Sequence, residues 1–250
     1  MRTYSYSQLV QMSLNFGTEL VSTALFILVF VLLHTNRMSL NQLVVISHLL
    51  ALLAYVLWVQ IGIRRHESHF FRLRGKQTAK SGIILLLVLL LCSPILKTLT
   101  ADISTDSIWR TSLLTSLIHL CFFDYLYQRV GTMSLNAGFL GAVVLASRLS
   151  TAAHVYGFLM LAVHWFALWP LLRGFLKTLH SDFVEVTLFL LFSLLAAMIS
   201  FSLSSLLLLI LLAGLFFVTL LAPAWFKSLQ SLKNTIHGPW DEAIPYSFSD

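Results

Sequence analysis

Charged residues are scarce in this sequence. Only 10% of the 250 residues are charged, whereas 58% are hydrophobic and the mean hydropathy is +0.86. Soluble domains carry about 25% charged residues, so the composition excludes an ordinary soluble fold. Long polar stretches are also missing, and no connection between the apolar runs is long enough to form a separate extramembrane domain.

Cysteines and catalytic signatures are equally sparse. Cys92 and Cys121 lie inside apolar runs, which favours two small buried side chains over a disulfide or a cysteine-based metal site. The sequence has no DxD motif, no glycine-rich phosphate loop, no G-x-S-x-G and no H-E-x-x-H. His66 and His69 have a metal-like spacing but lack further ligands. We therefore assign no catalytic residue, no metal and no cofactor from the sequence.

Long apolar runs are what the sequence has instead. An apolar helix of about 20 residues crosses a hydrocarbon core about 30 Å thick, and the sequence predicts an all-α, polytopic transmembrane bundle of about eight spans. The division between the last two spans falls in "MISFSLSS", where a tight hairpin is favoured because one helix would be about twice the core thickness. The predicted spans are 14–33, 41–63, 81–99, 108–128, 132–149, 152–172, 183–200 and 201–221.

The basic residues indicate the orientation of the spans. With eight spans, most of the sixteen Lys and Arg residues lie on the side of the two termini and of loops 64–80, 129–131 and 173–182, the last of which begins with Arg173. The positive-inside rule then places both termini in the cytosol. This distribution explains the net charge of +6 without a nucleic-acid partner, through anionic membrane lipid. Several short spans favour a thin bilayer such as the endoplasmic reticulum.

Polar residues cluster between the predicted third and fourth spans. Ser104 or Thr105, followed by Asp106, predicts a cap for the helix that begins near residue 108. Lys97 has no such explanation, so an acidic partner and a lipid phosphate both remain open. Asp124 lies close to the cytosolic end of its span, where structural pairing and substrate contact are both open. The candidates for a polar cluster or a lipid headgroup site are Lys97, Thr98, Asp106, Asp124 and Arg148.

The C-terminal segment, residues 222–250, is predicted to be a cytosolic amphipathic helix and tail that follows a membrane domain of residues 1–221. Apolar residues recur at helical spacing through 223–236, and Gly238 with Pro239 predicts a helix stop. Trp240 is an anchor for the membrane surface or a partner. A catalytic role for His237 with Asp241 is the alternative to docking. The predicted docking residues are Trp225, His237, Pro239, Trp240, Asp241 and Glu242.

Several short motifs in a fixed order resemble one known family. The chain is similar to the PIG-C family, the C subunits of the glycosylphosphatidylinositol (GPI) N-acetylglucosaminyltransferase. The match runs from about residue 93 to 243, and the first two spans match only in hydrophobic character. A hydrophilic N-terminal extension, frequent in that family, does not precede the first span here. The motifs are "SP" 93–94, "LKTLT" 96–100, "STD" 104–106, "HL" 119–120, "FFDY" 122–125, "SLN" 134–136, "ASRL" 146–149, "FALWP" 166–170 and 234–243.

The resemblance implies a role in the first step of GPI-anchor biosynthesis. In that step N-acetylglucosamine passes from UDP-GlcNAc to phosphatidylinositol on the cytosolic face of the endoplasmic reticulum. Family members are multi-pass membrane subunits, and the resemblance places the transfer residues in a PIG-A type glycosyltransferase subunit. It thus implies a non-catalytic scaffold that docks this and other membrane subunits and helps to present the lipid.

Two other functions fit some of the residues. A lipid transporter or scramblase would line a polar path with Lys97, Asp106 and Asp124, although the sequence shows no internal repeat of the kind common in transporters. An intramembrane acyltransferase would use His119 or His164, but neither has an acidic or Asn partner at helical spacing.

Overall fold

The computed structural model describes residues 4–64, 84, 87–98, 102–125, 131–177 and 181–230 of the chain. Every regular element in these ranges is a helix, which confirms the all-α class. The helices are α1 Tyr6–His34, α2 Leu40–Arg64, α3 Leu87–Thr98, α4 Thr105–Phe122, α5 Thr132–Ala146, α6 Ala152–Ala162, π1 Val163–Leu168, α7 Trp169–Lys177, α8 Ser181–Leu203, α9 Ser205–Phe216, π2 Phe217–Leu221 and α10 Ala222–Leu229.

Helix α1 begins and ends at residues with a clear physical role. Its N-cap is Ser5, which forms a capping box with Gln8 and satisfies backbone N–H groups that have no partner within the helix. At the other end Asn36 has φ 55°, a left-handed conformation that Asn tolerates better than most residues. The Arg37 N–H then donates to the Leu32 carbonyl at 2.9 Å and closes the helix.

Within the described ranges, four helical segments are long and apolar enough to cross a membrane. They are Tyr6–His34, Ala152–Gly174, Phe183–Leu203 and Ser205–Leu229. The predicted hairpin between the last two spans is confirmed: α8 ends at Leu203, and Ser204 has extended backbone and caps α9 by accepting from the Leu206 N–H. Helices α9, π2 and α10 form one continuous helix to Leu229. The rest of the predicted amphipathic helix, 231–236, lies outside the described residues.

Helix α1 lies at the centre of the bundle. One side of it packs Phe26 and Phe30 against Phe158 of α6, with ring centroids 4.7 and 5.5 Å apart. Another side packs Val21 and Leu25 against α8 and α9. Of the most apolar stretch of α1, 61% is buried inside the bundle. The corresponding share is 11% in each of the last two spans. Helix α1 therefore holds two helical layers together, and the last two spans present apolar side chains outward.

The loops meet at two ends of the bundle. At the end where α1 starts, which we call the proximal end, the Tyr4 N–H donates to Gln230 Oε1 at 3.1 Å and the Phe16 ring packs on Tyr125, centroids 5.4 Å apart. At the distal end, where α1 stops, Arg37 donates to the Ser202 carbonyl and thereby joins the α1–α2 loop to the α8–α9 hairpin.

Two glycines at helix contacts differ in what surrounds them. A Cβ on Gly138 would lie 2.8 Å from a carbon of the Phe166 ring, and a Cβ on Gly157 would lie 2.6 Å from a terminal methyl of Leu40. The Phe166 ring is buried in the core at 3% exposure and cannot move aside, whereas the half-buried Leu40 side chain can change rotamer and shift its methyl carbon. We expect Gly138→Ala to cost about 1–3 kcal/mol through overpacking.

The matched variant Gly157→Ala is expected to have little effect, since a rotamer change of the flexible Leu40 side chain moves its terminal methyl carbon away and Ala favours a helix over Gly. Thermal unfolding of the two purified variants in the same detergent would compare them. Equal melting temperatures for both variants would contradict the packing at Gly138.

Candidate functional site

Four ionisable side chains from four helices meet inside the bundle near its proximal end. We call Glu19 of α1, His119 of α4, Arg173 of α7 and Glu185 of α8 the charge network. Arg173 and His119 are fully buried, and the two glutamates are at most 5% exposed. Ionisable groups at such positions in a membrane protein are costly and usually mark a functional or structural centre.

Arg173 is the hub of the charge network. Its Nη1 donates to Glu19 Oε2 at 2.8 Å, and its Nη2 donates to Glu185 and, at 3.1 Å, to the Asn15 carbonyl. The planar guanidinium offers several N–H donors in fixed directions, which suits one cation shared by two carboxylates. Arg173 thereby links α1, α7 and α8.

His119 adds the fourth helix to the charge network. Its Nδ1 lies 2.9 Å from the Ser134 carbonyl and 2.8 Å from Ser134 Oγ, and that hydroxyl donates to the His119 carbonyl at 3.0 Å. Both oxygens therefore accept from Nδ1–H. Its Nε2 lies 3.2 Å from Glu19 Oε1. The His119 ring thereby joins α4 to α1 and to the start of α5.

Aromatic side chains close the network from solvent. The His119 ring packs edge-on against Phe166 and Phe123, with centroids 4.9 and 6.0 Å away, and Tyr125 packs on Phe123 at 5.1 Å. Phe166 belongs to π1, whose neighbouring Trp165 donates to the Ser22 carbonyl at 3.0 Å. The acid and base groups are thus turned toward one another, and the arrangement suits holding helices together better than reacting with a substrate.

One prediction about these residues needs correction. The sequence pattern places Arg173 in the basic loop 173–182, but it lies within α7 and is fully buried, because two carboxylates and a carbonyl compensate its charge there. For His119, helical spacing offers no acidic partner within its own helix, and the structure agrees. The structure supplies Glu19 from another helix, 100 positions away in the sequence.

Most of the predicted polar cluster lies at the distal end, where hydrogen bonds from its side chains connect neighbouring loops and helix ends. Lys97 Nζ donates to the Ser150 carbonyl at 2.7 Å, and Arg148 donates to the Ile103 carbonyl. Thr98 Oγ1 donates to the Ile95 carbonyl of its own helix at 3.0 Å. The cluster joins the start of α4 to the α5–α6 loop and the end of α3, which gives Lys97 the structural explanation that the sequence lacked.

The cap predicted for α4 is confirmed. Ser104 has extended backbone and its side chain accepts from the Ser107 N–H, and the helix begins at the next residue. Asp106 lies exposed in the first turn, where a carboxylate interacts favourably with the helix dipole.

The remaining predicted residues lie elsewhere. Asp124 is half-buried at the proximal end, directly after α4 and between two aromatic residues of the network's wall. Trp225 is 65% exposed on α10. His237, Pro239, Trp240, Asp241 and Glu242 fall outside the residues that the structure describes, as do His66 and His69.

Comparisons with known proteins support one family. A family model described as phosphatidylinositol N-acetylglucosaminyltransferase, GPI2, matches residues 1–241. The GPI2 subunit of phosphatidylinositol N-acetylglucosaminyltransferase from Schizosaccharomyces pombe is 33% identical over 246 residues, which are 95% of this chain and 75% of that protein. The C subunit of the Homo sapiens enzyme is 34% identical over 248 residues, 97% of this chain and 82% of the human protein.

No solved structure matches this chain. The resemblance found from short motifs is confirmed, and the family match also includes the first two predicted spans. The chain therefore belongs to the family of phosphatidylinositol N-acetylglucosaminyltransferase C subunits, which includes the fission yeast GPI2 subunit.

Proposed function

We propose that the chain is a membrane subunit of the GPI-N-acetylglucosaminyltransferase, which transfers GlcNAc from UDP-GlcNAc to phosphatidylinositol in the first step of GPI-anchor biosynthesis. The observation that carries this proposal is the family match across residues 1–241, together with relatives that are named as subunits of that transferase. The apolar helices agree with a multi-pass membrane component.

Within the complex we assign the chain a scaffold role. Its buried acid and base groups neutralise one another and hold four helices in place. A rigid bundle of this kind suits a subunit that docks a PIG-A type catalytic subunit and other membrane subunits. The predicted docking residues at the C-terminus, 225 and 237–242, would make such contacts beyond α10.

We further propose eight alternating spans in the membrane of the endoplasmic reticulum, with both termini in the cytosol. If successive spans cross the membrane in opposite directions, the start of α1 and the ends of α4, α7 and α10 lie on the same side. The contacts at the proximal end, which join Tyr4 and the first half of α1 to residues at these helix ends, support this arrangement. The charge network and Asp124 then lie toward the cytosol, where the sugar donor is. Asp124 is the candidate for a lipid headgroup contact, and the Lys97–Arg148 cluster braces the opposite end.

Purification in mild detergent tests this function. We expect the tagged chain to co-purify with a glycosyltransferase subunit and the complex to transfer GlcNAc from UDP-GlcNAc to phosphatidylinositol. The same chain, stripped of the other subunits and returned to phosphatidylinositol vesicles, should form no product above a protein-free blank. Turnover by the isolated chain would disprove the scaffold role, and a chain that binds no transferase subunit would disprove membership of the complex.

A further inference from the structure

A histidine is exposed on the outer face of α2, deep within its predicted span. His48 lies on the same face as Val45, Leu49 and Leu52, which are 55–59% exposed. We call these four residues the α2 stripe. The middle of the predicted span 41–63 is residue 52, so at 1.5 Å per residue His48 is about 6 Å from the membrane centre. The boundary of a hydrocarbon core about 30 Å thick is about 15 Å from that centre.

The hydrogen bond of His48 Nδ1 determines which hydrogen-bonding role is left for Nε2. Its Nδ1 lies 2.8 Å from the Val44 carbonyl, which can only accept, so Nδ1 carries the proton. In the neutral ring Nε2 is then an acceptor, and among the described residues no hydrogen bond reaches it. The acceptor requires an O–H or N–H group from outside this part of the chain.

His164 of π1 packs against the His48 ring. The two rings meet edge-to-face with centroids 6.1 Å apart. Within the described part of the chain, the buried His164 Nδ1 has no hydrogen-bond partner either. His164 is only two residues from the middle of its own predicted span, 152–172, so both rings lie near the membrane centre. A π-helix such as π1 frequently marks a functional position.

Lipid is a poor source of a hydrogen-bond donor for His48 Nε2. Hydrocarbon tails have no hydrogen-bond donor, and the headgroups of glycerophospholipids lie at the boundary of the core, well away from His48. A polar side chain on another membrane helix can reach this depth, and such side chains join helices in membranes by hydrogen bonds. The relatives are named as subunits, so other helices are at hand.

We propose that the α2 stripe is a docking surface for a membrane-spanning helix of another subunit, and that this helix donates to His48 Nε2 from a hydroxyl or amide side chain. Leu49, Leu52 and Val45 supply the apolar contact around this hydrogen bond. The inference rests on the proposed function, because it takes the chain to be part of a complex.

Three variants of the full chain, expressed with the complex, test the stripe. His48→Leu should lower recovery of another membrane subunit about three- to fifteen-fold, the range expected for one interhelical hydrogen bond. His48→Gln, which keeps an acceptor, should restore most of the recovery. Leu50→Ala, on the opposite face of α2 and 53% exposed, is the matched control and should recover the subunit as the wild type does.

Photo-crosslinking from position 52 in the otherwise unchanged chain gives a second measurement that does not depend on a stable variant. An adduct with a membrane helix of another subunit supports the proposal. An adduct only with lipid or with a second copy of this chain overturns it, as does His48→Leu recovery equal to that of Leu50→Ala. If the wild-type chain recovers no subunit at all, the proposed function itself fails.

Discussion

Replacement of Arg173 by leucine is expected to cost about 3–5 kcal/mol of folding free energy, the usual result of removing one partner from a buried ion pair. Glu19 and Glu185 would be left as two carboxylates in a buried site without the guanidinium that both contact. Because many domains are stable by only about 5–15 kcal/mol, much of this variant should fail to fold. The fraction of monodisperse protein and its melting temperature in detergent would measure the loss.

Arg110→Leu is the matched control for that experiment, since Arg110 is exposed on α4. Adding Glu19→Gln and Glu185→Gln to Arg173→Leu removes both uncompensated charges and should recover part of the lost stability. If Arg173→Leu melts at the same temperature as Arg110→Leu, the buried position of Arg173 is wrong.

The second large effect is expected for His119→Leu. This change removes the hydrogen bonds to Glu19 and Ser134 and leaves buried polar atoms unsatisfied, at a cost of about 1–3 kcal/mol for each such group. Melting temperatures would be compared with those of His34→Leu, an exposed histidine at the end of α1.

A double-mutant cycle with Glu19→Gln isolates the contact between the two helices. Because His119 and Glu19 touch, the two losses should fall short of additivity by about 0.5–3 kcal/mol, as is typical for residues in one network. Strict additivity would show that α1 and α4 are not joined through this pair, even if each single variant is unstable.

The helices themselves can be predicted because each carries its own signal. Apolar runs of sufficient length indicate the spans, and the Ser-rich division near Ser204 predicts a hairpin because one helix would be too long for the membrane. The position of Ser104 just before an apolar run predicts the cap of α4. All of these features depend on residues close together in the sequence.

The charge network cannot be predicted in the same way. Its partners are up to 154 positions apart, and hydrophobic pattern says nothing about which helices face each other. Arg173 follows an apolar run and therefore has the pattern of an interfacial cation. A signal is nevertheless present: Glu19, His119 and Glu185 all lie inside predicted spans, and acids in spans require a compensating cation somewhere in the chain.

Lys97 shows a different limit of sequence patterns. Its ammonium group binds a backbone carbonyl of the α5–α6 loop, and every residue offers such a carbonyl. No side-chain pattern could have identified Ser150 as the acceptor.

The long separation within the network also has a consequence for synthesis of the protein. Glu19 enters the membrane early, but Arg173 is made 154 residues later, about 8–30 s at a translation rate of about 5–20 residues per second. During that interval the Glu19 carboxylate lacks the Arg173 guanidinium, and a chain interrupted before residue 173 never gains it. His119, which also contacts Glu19, is made 100 residues after it, so this partner is available earlier. The network is thus completed in the order of synthesis, and Glu185 is added last.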